Sequence, residues 1–65
     1  MAYQSLTFQG VKTADQVNKI TTALMMLDGV DSAEVGRYGA EVEGRAKREA
    51  LIKAVDKLNL GIKVS

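Results

Sequence analysis

Residues 13–35 read TADQVNKITTALMMLDGVDSAEV, and a change of period inside this stretch decides the fold. Val17, Ile20, Ala23, Leu24 and Leu27 recur at helical spacing and make one apolar stripe. Thr13 and Gln16 stand at the spacing of a capping box, in which the Thr hydroxyl accepts from a backbone N–H and the Gln side chain answers. Asp15 falls in the first turn, where the helix dipole favours an anion. Asp28-Gly29 stops the helix, the glycine suiting a left-handed cap. From Val30 to Val35 the period drops to two, with Ala33 and Val35 on one face, which predicts a strand.

Outward from this unit the same alternation of elements continues. Upstream, Leu6 and Phe8 face one way and Ser5, Thr7 and Gln9 the other, a strand over Tyr3 to Gln9 that Gly10 ends. Downstream, Gly36-Arg37-Tyr38-Gly39 is a turn, and Ala40 to Glu43 a strand with Val42 inward. A second helix is expected from Arg45 or Ala46, its stripe formed by Leu51, Ala54, Val55 and Leu58 with Ile52 at the edge. Asn59 and Gly61 end it, and Ile62 and Val64 make a short last strand. The order βαββαβ predicts an α+β, ferredoxin-like sandwich: a four-stranded antiparallel sheet with two helices on one face, as a single domain over residues 1–65.

Composition narrows the chemistry. Sixty-five residues leave little room for an enclosed active site beside a core, because a chain this short buries only about 60% of its unfolded surface. Cysteine and histidine are both absent, which removes the usual soft and borderline metal ligands, the commonest general base and the commonest strong nucleophile. An enzyme is therefore not expected, and no cofactor is implied. Nine Lys and Arg balance eight Asp and Glu, so charge gives no argument for nucleic acid or an anionic membrane. Glu41 and Glu43 also stand where a nucleic-acid-binding sheet would carry stacking aromatics. The longest apolar run, Ala23 to Leu27, is far too short to span a bilayer, and Met1 to Gly10 has no signal-peptide pattern. The expectation is a soluble, cytoplasmic protein.

The apolar pattern resembles that of heavy-metal-associated domains, the small fold of copper chaperones. Leu6, Phe8 and Gly10 match the family's first strand and the glycine that opens its metal loop. The Leu27-Asp28-Gly29-Val30 run is similar to the family's Leu-Pro-Gly-Val junction, and Leu51, Ala54 and Val55 match its second helix. In the family that glycine is followed by Met-x-Cys-x-x-Cys; here Val11 stands at the methionine position and Thr13 and Gln16 at the two cysteines. The resemblance implies a scaffold whose members hold Cu(I) or Zn(II) between two thiolates, a softness that neither a hydroxyl nor an amide supplies. No metal is thus expected at Thr13 and Gln16.

Other residues carry weaker signals. Met25 and Met26 lie at the far end of the helix from Thr13, about 15 Å at 1.5 Å per residue, with Met26 read as a core-edge filler and Met25 as exposed. With Val11 and Lys12 they form the expected contact surface for another protein, through the first helix and the loop before it. Glu34 faces Glu41 or Glu43, according to where the turn centres, and Lys63 or solvent is the expected relief for these acids. Arg45, Lys47 and Arg48 open the second helix, where cations oppose its dipole. The reading that follows is a non-enzymatic interaction module, monomeric or weakly dimeric. Its alternatives are heavy-metal binding or transport through non-cysteine ligands and a small-ligand regulatory domain.

Overall fold

The computed structural model describes residues 3–65, so Met1 and Ala2 of the expected domain lie outside the described residues. The elements are β1 (Tyr3–Gln9), α1 (Ala14–Met25), β2 (Val30–Val35), β3 (Gly39–Gly44), α2 (Arg48–Asp56) and β4 (Lys63–Val64). They form the predicted βαββαβ sandwich, with sheet order β2-β3-β1-β4 and every pairing antiparallel. Two-residue alternation sends Leu6, Phe8, Ala40 and Val42 to one face, where Ile20 and Leu24 of α1 and Leu51 and Val55 of α2 cover them. The turn centres on Arg37-Tyr38: Gly36 N–H donates to Gly39 O at 2.8 Å, and Glu34 stands opposite Glu41.

Both helices are shorter than their apolar patterns. Regular α1 ends at Met25, and Leu27 N–H bonds back only three residues, to Leu24 O at 3.2 Å. That tightening leaves Leu27 beyond the helix yet still packed against the core. Thr21 and Thr22 are tolerated inside α1 because their hydroxyls donate to Val17 O at 2.8 Å and Asn18 O at 3.0 Å. At the other helix the expected start at Arg45 or Ala46 is corrected to Arg48, with Lys47 as N-cap. The reason is a competing bond: Arg45 N–H and Ala46 N–H both donate to Gly29 O, at 2.6 and 3.1 Å, and are held in a connection instead of a first turn. Only Arg48 of the three cations lies within α2, and its guanidinium donates to Ser5 O at 2.7 Å.

The junction formed by Gly29, Gly44 and the connection to α2 requires glycine. Gly44 has φ of 142°, and a Cβ there would overlap the Gly29 carbonyl oxygen. Gly61 also has positive φ, 74°, but open space around the position of a Cβ. Gly61→Ala should therefore cost only the conformational strain, about 1–2 kcal/mol. Gly44→Ala carries the steric overlap as well and should cost about 3 kcal/mol or more. Urea unfolding of the two variants measures the difference; equal losses would contradict the junction as described.

Candidate functional site

The loop between β1 and α1 is where the family resemblance places its metal. Gly10, with φ of 99°, turns the chain out of the sheet beside Gly61 O, and Val11 then folds inward. Val11 is only 8% exposed and belongs to the core, so its expected place on a contact surface is corrected. Lys12, Thr13, Ala14 and Asp15 remain exposed. Thr13 is the N-cap of α1 in extended conformation, φ −133° and ψ 157°.

Both of the residues at the cysteine positions are occupied by the backbone. The Thr13 hydroxyl accepts from Gln16 N–H at 3.2 Å. Gln16 Oε1 accepts from Lys12 N–H at 2.7 Å. The reciprocal cap forms, but its return bond lands on Lys12, one residue before the N-cap, instead of on Thr13 as the simple capping box requires. Asp15, the nearest carboxylate, is drawn along the helix to Lys19 Nζ at 3.3 Å. A soft ion would meet a hydroxyl and an amide oxygen already accepting hydrogen bonds. These donors do not fit Cu(I) or Zn(II). Among the described residues no group of three or more Asp or Glu side chains is placed to hold a metal.

At the opposite end of α1, Met25 is 48% exposed and Met26 79%. Met26 is thus not a core-edge filler: it is the C-cap of α1 and lines the surface groove between the helices with Leu58. The pairing of Met26 with α2 is not readable from α1 alone. Its signal is the row Ala50, Lys53 and Lys57, at helical spacing beside Ala54 and Leu58 of the predicted stripe.

The outer sheet face is polar. Glu34 and Glu41 are cross-strand partners, and Glu43 Oε1 accepts from the Ser32 hydroxyl at 3.2 Å. Lys63 does not relieve these acids: it pairs with Gln9, at the opposite end of β1 from the Tyr3–Glu43 pairing. Among the described residues the single ion pair is Asp15–Lys19. No helix among them is long and apolar enough to cross a membrane.

No protein-family model matches the sequence, and no curated protein matches it significantly. Solved structures do match over nearly the whole chain. A copper binding domain from HMA7, a P-type ATPase, superposes with a TM-score of 0.88 at 23% identity, covering 100% of this chain and 92% of that one. The CopZ metallochaperone gives a TM-score of 0.88 at 20% identity, covering 98% and 100%. The N-terminal domain of a potential copper-translocating P-type ATPase from Bacillus subtilis, in its Cu(I)-loaded state, gives 0.85 at 29% identity, covering 97% and 82%. The chain therefore has the fold of heavy-metal-associated, copper-chaperone-like domains, without a single cysteine to form their Cys-x-x-Cys motif.

If Thr13 acts as a cap, Thr13→Ala should lose about 1 kcal/mol of stability while Thr13→Ser stays near the parent. Chemical denaturation reads both, and an unchanged Thr13→Ala would show the hydroxyl to be idle.

Proposed function

We propose that this chain is a non-enzymatic protein-interaction module on the heavy-metal-associated scaffold, a relative of copper chaperones whose metal loop has become a helix cap. One observation carries the reading. The two side chains at the cysteine positions each spend their acceptor oxygen on a backbone N–H, so the loop is structurally complete without a metal. What the scaffold still offers to another molecule is exposed surface on and before α1: Lys12, Met25 and Met26. Methionine suits such a role, because an unbranched, polarizable side chain adapts to its partner's shape. The module is a monomer or weak dimer in this reading and takes no cofactor.

The absence of a metal role is testable directly. Titration of the isotopically labelled chain with Cu(I) and Zn(II) should leave the amides of Thr13 to Gln16, Met25 and Met26 unmoved. The double variant Thr13→Cys/Gln16→Cys, which places two thiolates at the family spacing, should acquire Cu(I) binding resistant to a competing chelator. Saturable shifts in the parent chain would overturn the reading in favour of metal handling through non-cysteine ligands.

The interaction role has its own test. Affinity capture with the parent chain should retain a defined protein that Met26→Glu, a folded surface variant, fails to retain. Equal retention by both, or by neither above a blank support, would sink it.

A further inference from the structure

The two helices do not close fully against one another on their outer side. The groove between them is lined by small apolar residues, Ala23 on α1 and Ala50 and Ala54 on α2, together with Leu58 and the exposed Met26. Three alanines let an incoming backbone approach closely. Thr22 lines the groove too, but its hydroxyl is spent on Asn18 O, so it adds little polarity.

The charge around this groove is of one sign. Lys19, Lys53 and Lys57 line it, and no carboxylate does. Lys19 is partnered by Asp15, whereas Lys53 and Lys57 form no ion pair among the described residues. Lys53 lies in the last turn of α2 and Lys57 is its C-cap, four residues on. Lysines beside an apolar groove that no carboxylate lines are complementary to an external apolar surface flanked by acids.

We infer that this groove receives an acidic amphipathic helix from a partner protein. Its apolar residues, recurring every three or four positions, would lie on these alanines against Met26 and Leu58. Its flanking carboxylates would meet Lys53 and Lys57. A bilayer fits less well: a chain of net charge +1 has little general attraction for anionic lipid. The inference rests on the interaction reading above and names the partner's chemistry.

Two synthetic amphipathic peptides with the same Leu/Ala face, one bearing Glu and the other Lys on its polar face, test it against the whole isotopically labelled chain. The Glu peptide should shift the amides of Ala23, Met26, Ala54 and Leu58 saturably and bind more weakly as salt rises. The Lys peptide should not bind. Lys53→Glu/Lys57→Glu, checked for folding by its amide spectrum, should weaken the Glu peptide by about tenfold and admit the Lys peptide. Equal binding of both peptides, or silence at the groove with either, overturns the assignment. Adsorption to phosphatidylserine vesicles without a peptide response also overturns it, in favour of a lipid surface. Shifts confined to Lys12 and the start of α1 would remove the groove while leaving the interaction reading intact. Loss of capture by Met26→Glu remains the separate measure of that reading.

Discussion

The carbonyl of Gly29 is the point on which the two halves of this fold are fastened. It accepts from both Arg45 and Ala46, and the bare Cα of Gly44 lies over it where any side chain would collide. One acceptor thus ties the exit of α1 to the entry of α2. Ala46 is buried as a result, and α2 begins two to three residues later than its apolar pattern suggests. A chain this short has few redundant contacts, so one backbone oxygen satisfying two donors carries weight.

The fold was largely readable from periodicity. The stripe through Val17, Ile20 and Leu24 and the alternation at Leu6–Phe8 and Ala40–Val42 put the right faces inward, because burial dominates the energetics of a small sandwich. What escaped was decided by backbone bonds between residues far apart in sequence. The Gly29 acceptor moves the start of α2. The positive φ of Gly10 carries Val11 into the core. The position of Lys63 follows from strand order, which no local pattern contains.

The candidate site was legible in part for a similar reason. Thr13 and Gln16 are local to one helix turn, so their spacing announced their bonds; only the recipient of the Gln16 bond differed. The groove beside Met26 was not legible, because it is shared between two helices that meet only in the tertiary structure. The fold alone leaves function open, since a scaffold and the chemistry placed on it vary independently. Here the fold of copper-chaperone-like domains stands with a cysteine-free loop whose Thr13 and Gln16 side chains bond to backbone N–H groups.

The bond from Arg48 to Ser5 bears on the open edge of the sheet. β4 covers β1 only from Thr7 to Gln9, so the first part of β1 presents a row of backbone groups at the sheet margin. Unguarded, such a margin is a template on which other chains add strand by strand into aggregates. Arg48 places a bulky charged group on it at Ser5, and Gln4 is fastened to Ala46 O alongside. The cation that opposes the dipole of α2 at its first turn thus also covers a backbone acceptor on the open margin of the sheet.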